Sequence, residues 1–311
     1  MDICVIEPCG GHKHMECIGF LLDIFKGLNI RIYYSKDKHE WLKYFKQLYS
    51  FNTKNISHIM EDINEINNCK KVINLTADKF FPLFTKIKNV NKYEIHHLKK
   101  SRNSIDNVIR LVKNKETYNS KKYKQKYHCY SIFEGNSKQY ENEEKNIVMW
   151  VGWCQNLFKG ENIYENNFKD WNDKMKYKLQ FFWTGSGRAY EKRRLFELVG
   201  KDNVHRGIKS QYLPHFFKNV KFIMIRPMCG QCYGEQLWSG TMTLALSHNI
   251  PIIIKKNYRD VVDVPGITYE ENYYEVYDKI NNMSDEDYKK EIDKIKKFKL
   301  EIREREREEL L

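Results

Sequence analysis

Gly185-Ser186-Gly187-Arg188 follows an apolar run and precedes a helical stretch, the setting in which backbone amides and a guanidinium can hold a phosphate. Amides at a helix start lack intrahelical partners, and the helix dipole adds roughly half a positive charge there. Arg188 would add a full one, and fixed donors at that place stabilise a departing diphosphate. A second glycine loop, Gly10-Gly11, follows the first apolar run and brings His12 and His14 with it. His12 has the chemistry of a general base or a sugar contact, or of an ordinary polar loop residue. Ser239-Gly240-Thr241 opens another helical stretch with amides and hydroxyls suited to phosphate. Cys229-Gly230-Gln231-Cys232 has the spacing of half a zinc site or a redox pair, but no second Cys-x2-Cys completes it, which favours a loop-shaping role. His96-His97 reads as a strand end. No Gly-x4-Gly-Lys-Ser/Thr loop occurs, so a P-loop phosphohydrolase is not expected.

These loops need strands before them and helices behind them, and the hydrophobic pattern supplies both. Ile3–Ile6 reads as a strand, Met15, Ile18, Leu22 and Phe25 keep a helical period ending near Gly27, and Ile30–Tyr34 is a second strand. That βαβ unit crosses over right-handed. Val72–Leu75, Tyr93–Leu98 and Tyr127–Ile132 read as further strands. A polar stretch from Gly135 to Lys145 reads as a linker. Beyond it come strands at Ile147–Val151, Leu179–Trp183, Lys221–Ile225 and Pro251–Ile254, with helices over Tyr190–Val199 and Leu237–Ser247. The alternation predicts parallel sheets with helices on both faces. Three segments follow: a Rossmann-like domain over 1–140, a second over 146–283, and a charged helix over 284–311. Ser284 and Asp287 open that helix as a capping pair, and it either stays solvated or crosses back to the first domain.

The 311 residues suffice for two such domains. A net charge of +13 fits a polyanionic partner such as nucleic acid, an acidic membrane surface or a phosphorylated small molecule, and equally a lysine-rich soluble surface. No run of 18 apolar residues predicts a membrane span, and Met1-Asp2-Ile3 reads as the approach to a strand, not as an export signal; a cytoplasmic location is expected. Scattered cysteines among apolar neighbours fit reduced thiols.

The second half resembles the donor domain of GT-B glycosyltransferases, most closely the retaining enzymes of glycosyltransferase family 4. The stretch Val151-Gly152-Trp153-Cys154-Gln155-Asn156-Leu157-Phe158-Lys159-Gly160 is similar to the family's Val-Gly-Arg strand end with its following Lys-Gly pair. The resemblance makes Lys159 the lysine that holds the donor diphosphate. Trp153 stands where the family has arginine, so Arg188 or Arg226 must supply that charge. Phe182–Gly187 resembles the strand with its Gly-x-Gly, Asn203-Val204-His205-Arg206-Gly207 the Val-x-Phe-x-Gly strand, and Tyr212–Phe217 the helix before the strand ending at Arg226-Pro227. Glu235 is similar to the first carboxylate of the family's Glu-x7-Glu pair, which holds the ribose and contacts the sugar. The second position falls on Thr243 or Leu244, so this chain departs from the pattern there.

The resemblance implies a GT-B fold, two doubly wound domains facing across a cleft, and transfer of a sugar from a UDP- or GDP-sugar to a glycan, lipid or protein acceptor. It implies no bound metal and no cofactor beyond the nucleotide sugar, with retention of configuration. An epimerase of the same fold, a DNA-modifying glycosyltransferase and a non-catalytic GT-B protein are the alternatives.

Overall fold

The computed structural model describes residues 2–7, 15–34, 56–60, 63–75, 91–96, 107–111, 125–135, 144–152, 171–183, 193, 196–197, 200–208, 210–225, 240–271 and 273–311. Contacts divide the chain into two units. Unit 1 takes residues 1–135, 236–243 and 299–311; unit 2 takes 136–235 and 244–298.

Among the described residues, unit 1 is built on seven parallel strands: β1 (Asp2–Glu7), β2 (Asn29–Tyr34), β3 (Ile56–Met60), β4 (Lys71–Asn74), β5 (Asn91–His96), β6 (Asn107–Arg110) and β7 (Gln125–His128). Their order is β3-β2-β1-β4-β5-β6-β7. Two strands escape the hydrophobic pattern. β3 is interrupted by Ser57 and His58, and in β6 Val108 and Ile109 are bracketed by Asn107 and Arg110. The expected strand over Tyr127–Ile132 stops at His128, because Ser131 sits at φ 50°, outside extended backbone. Helix α1 (Met15–Ile24) buries Cys17, Ile18, Phe20, Leu21 and Leu22, and Gly27 at φ 90° closes it in the left-handed region that glycine tolerates.

Unit 2 holds, among the described residues, six parallel strands: β8 (Ile147–Gly152), β9 (Lys178–Trp183), β10 (Val204–His205), β11 (Val220–Met224), β12 (Ile252–Lys255) and β13 (Ile267–Tyr269). Their order is β10-β9-β8-β11-β12-β13. Between these strands lie α2 (Trp171–Lys174), α3 (Gly240–Ser247), α4 (Lys256–Val262) and, after β13, α5 (Tyr277–Asn281). The stretch Ser210–Asn219 is a 3-10 helix with Pro214 inside it; proline lacks the N–H that a continuous α-helix would need. An aromatic core fills the unit. Trp150 and Trp171 are fully buried, Trp150 meets Phe181 edge to face at 4.8 Å, and Trp171 meets Tyr277 at 4.9 Å. Such pairs add roughly 0.5–1.5 kcal/mol beyond their buried area.

The terminal helix α6 runs Asp285–Leu310. Ser284 Oγ accepts the Asp287 N–H at 3.1 Å and donates to its carboxylate at 2.7 Å, which caps the start. Its residues from 299 on belong to unit 1. There Lys299 pairs with Glu134 at 3.3 Å, Arg303 reaches Glu134 at 3.1 Å and Asp23 at 3.4 Å, and the Lys71 ammonium donates to the Leu310 carbonyl. The Glu306 carboxylate, 1% exposed, accepts the Tyr130 N–H at 2.6 Å. Burial pushes Glu306 up to about 8 and lowers the Lys299 ammonium below its ordinary value.

Candidate functional site

In an open parallel sheet, ligands bind outside the carboxyl ends of the strands where the order reverses. Unit 2 has the order three-two-one-four-five-six, so that place lies between β8 and β11. The chain leaves β8 at Gly152 and runs on to Lys159. It leaves β9 at Trp183 and enters Thr184-Gly185, and it leaves β11 at Met224 for Arg226. Three of the stretches read from the sequence, those with Lys159, Gly185 and Arg226, thus follow the carboxyl ends of these three neighbouring strands.

Most of those residues lie outside the described ones: Gly10, Gly11, His12, Lys159, Gly185, Ser186, Gly187, Arg188, Arg226, Glu235 and Ser239, together with Cys229 and Cys232. Gly240 and Thr241 are described, and they are the first two residues of α3. Gly240 is exposed and Thr241 half-buried, which leaves the first-turn amides near the surface. Two residues on, the Thr243 hydroxyl lies 3.1 Å from the Ser131 hydroxyl, and both residues are fully buried. Thr243 is one of the two positions where the family pattern would put its second carboxylate. Its hydroxyl bonds inward to Ser131, so it serves packing in unit 1.

A feature that the sequence alone does not single out as a site lies beside this edge. His205, the last residue of β10, stacks on Phe182 of β9 with ring centroids 4.4 Å apart and planes 19° from parallel. Phe216 closes on both, 4.8 Å from Phe182 and 5.7 Å from His205. His205 Nε2 donates to Gln180 Oε1 at 3.0 Å, which leaves Nδ1 as an acceptor. Burial holds the imidazole below its ordinary pKa, so the ring is neutral at neutral pH. Gly207 follows at φ 66°, a left-handed turn that a side chain would resist. Arg206 lays its guanidinium 4.0 Å over the Phe196 ring. The result is a neutral π-surface of half-buried His205 and Phe216 over the fully buried Phe182, at the carboxyl edge, a chemistry suited to a flat heteroaromatic ring. The resemblance of Asn203–Gly207 points to the strand; the partners Phe182 and Phe216 become visible only once β9 and β10 are paired.

In unit 1, Asn74 ends β4 and donates through Nδ2 to Glu94 Oε1 of β5 at 3.0 Å, both residues fully buried. Among the described residues, no group of three or more His, Cys, Asp or Glu is arranged to hold a metal ion. Among them, too, no helix is long and apolar enough to cross a membrane.

No protein-family model matches the chain, and no curated protein matches it in sequence. Solved structures do match in shape. HepE of Anabaena, in complex with UDP and glucose, aligns with a TM-score of 0.61 at 9% identity, over 97% of this chain and 95% of HepE. AviGT4, a glycosyltransferase involved in avilamycin A biosynthesis, aligns at 0.54 and 8% identity over 98% of each chain. A putative UDP-N-acetylglucosamine 2-epimerase from Listeria monocytogenes aligns at 0.51 and 9% identity, over 96% of this chain and 91% of that one. With two parallel sheets in this strand order and neighbours of this kind over nearly their whole length, the chain has the GT-B fold.

Proposed function

We propose that the chain is a glycosyltransferase that takes its sugar from a nucleoside diphosphate sugar, with retention, in the manner of glycosyltransferase family 4. The observation that carries this reading is the neutral ring stack of Phe182, His205 and Phe216 at the carboxyl edge of a sheet whose switch-point strands lead into Lys159 and Arg226. In this reading the base lies against His205, and Glu235 takes the ribose. The diphosphate is held by Lys159, Arg188 or Arg226, the Gly185–Gly187 amides and the first turn of α3. As the sugar departs, charge grows on the diphosphate, and donors already in place stabilise it without reorganising. Protein cations and helix amides then supply the positive charge that a metal supplies elsewhere. His12 is the candidate for a base or sugar contact. UDP is the first nucleotide to test, because HepE was solved with UDP and glucose.

The direct test incubates the protein with UDP-glucose or GDP-mannose plus pooled glycan, lipid and peptide acceptors, and follows nucleotide release and sugar transfer by mass spectrometry. Release that depends on an acceptor supports the transferase. The epimerase-like neighbour favours a second reading, isomerisation of a nucleotide-linked sugar. A changed sugar with no acceptor present would establish that one instead.

A further inference from the structure

The amino edge of the unit 2 sheet, opposite the candidate site, gathers lysines. Lys178 is the first residue of β9 and Lys176 stands two residues before it. Lys145 stands two before β8, Lys218 two before β11, and Lys221 is the second residue of β11. These three strands are neighbours in the sheet, and Lys178 and Val220 both pair with Ile147. The Lys178 N–H donates to the Asn146 carbonyl at 2.9 Å and the Asn146 N–H to the Asn219 carbonyl at 3.1 Å, which ties the strand starts side by side. Neighbouring strands lie about 4.8 Å apart, so the lysines share an edge roughly 10 Å across. Lys176, Lys178 and Lys218 are exposed, while Lys145 and Lys221 are half-buried.

A ladder of rings beneath the edge holds three of the ammoniums. Tyr177 meets Phe222 edge to face at 5.6 Å, and Phe222 meets Tyr288 of α6 in the same way at 5.6 Å. The Lys176 ammonium lies 5.0 Å from the Tyr177 centroid, and those of Lys221 and Lys145 lie 3.9 and 5.9 Å from that of Tyr288. The Tyr288 hydroxyl donates to the Lys221 carbonyl at 3.0 Å and so fixes its ring. A ring face attracts an ammonium without neutralising it. Among the described residues, the carboxylates beside these lysines are Asp285, 3.6 Å from Lys221 and itself open to solvent, and Glu144, next to Lys145. Glu286 and Asp287 are taken up by Lys290 at 3.2 and 3.1 Å. Two carboxylates against five ammoniums leave the edge positive.

We propose that this lysine edge is a docking surface for an anionic lipid bilayer. None of the five cations is an arginine, and both tyrosine rings are buried under the ammoniums. The edge therefore has neither a planar fork to grip one phosphate nor an open ring on which a base could stack, the devices by which nucleic acid is held. It has point charges spread along a line, the chemistry that polybasic segments use toward anionic headgroups. Docking there leaves the opposite edge of the same sheet, with Phe182, His205 and Phe216, open to its own ligand. The proposal does not depend on which reaction that ligand undergoes.

The test sediments the full chain with vesicles of phosphatidylcholine alone and of phosphatidylcholine with an equal part of phosphatidylglycerol. Binding is expected to the anionic vesicles only and to disappear in high salt. Replacing Lys176, Lys178 and Lys218 together by glutamine should weaken it about a hundredfold. A control that removes the same charge elsewhere, Lys26→Gln with Lys70→Gln and Lys256→Gln, should keep most of it. Equal losses in the two triple variants would make net charge, not this edge, the attraction and overturn the proposal. No binding to anionic vesicles, or equal binding to neutral ones, overturns it too. So does retention of a duplex oligonucleotide through these lysines without any vesicle binding, which would assign the edge to nucleic acid. If the edge variant fails to fold, hydrogen exchange of the wild type decides: protection gained on anionic vesicles at 145–146, 176–178 and 218–221 supports the surface, and protection only elsewhere overturns it.

Discussion

The two units share a strand order and differ in what they bury. Among the described residues, the charged side chains sealed from solvent are Lys71, Glu94, Lys299 and Glu306, and all four belong to unit 1. Unit 2 buries rings instead: Trp150, Trp171, Tyr177, Phe181, Phe222, Tyr269, Tyr273 and Tyr277 form one cluster. The carboxyl edge of the second sheet continues the contrast with the stack of Phe182, His205 and Phe216. The strand order says where a ligand goes in each sheet. In the proposed reading, the residues at the strand ends of unit 2 select the ligand, a flat ring with its diphosphate.

The largest effect expected from breaking this contrast is at Lys159. Lys159→Ala should lower sugar transfer by about 10²–10³-fold, roughly 3–4 kcal/mol of barrier, as for a lost oxyanion donor. Initial rates at saturating acceptor check it.

The buried charge of unit 1 predicts the next effect. Glu306 has a folded pKa of about 8, above its ordinary 4.5, so the folded state favours the neutral acid. Its contribution is fully present below pH 4.5 and is lost as pH rises through 8. Glu306→Gln keeps the acceptor for the Tyr130 N–H and cannot ionise. It should therefore be more stable than wild type at about pH 9, by up to about 5 kcal/mol, and near wild type at about pH 5. Denaturant melts across that range test the sign. A variant less stable than wild type at the alkaline end would show that the carboxylate is satisfied as an anion.

On the aromatic edge, His205→Ala should weaken UDP binding about tenfold, since a base stacked on a ring contributes roughly 1–3 kcal/mol. Titration calorimetry measures it. The smallest effect concerns packing alone. A Cβ on Gly266 would lie 2.9 Å from Ile252 Cγ1 and 3.0 Å from Ile254 Cγ2, so Gly266→Ala should cost about 1–3 kcal/mol by overpacking, read as a lower melting temperature with unchanged nucleotide affinity.

The strands with a continuous apolar run are legible in the amino-acid sequence: β1, β4, β8, β9, β11 and β12 all lie where hydrophobic periodicity puts them. The illegible ones lack that run. β6 has two apolar residues, β13 has three residues in all, and α4 is Lys-Asn-Tyr-Arg-Asp-Val-Val, with too little apolar pattern to announce a helix. The loops after the strand ends read in the sequence as glycine and cation motifs, and the residues that carry them, Lys159 and Gly185 to Arg188 among them, lie outside the described ones. The ring stack is not legible in the sequence, because Phe182 and Phe216 are distant in sequence and meet His205 only through the pairing of β9 with β10.

The central claim, a nucleotide-sugar site at the aromatic edge, is tested most directly by a thermal shift with UDP, GDP and ADP on wild type, Lys159→Ala and His205→Ala. At a hundredfold excess over its dissociation constant a bound nucleotide should add about 2.7 kcal/mol of stability. A shift with one nucleotide, reduced in both variants, is the predicted result. No shift with any of the three, or a shift that both variants retain in full, would contradict it.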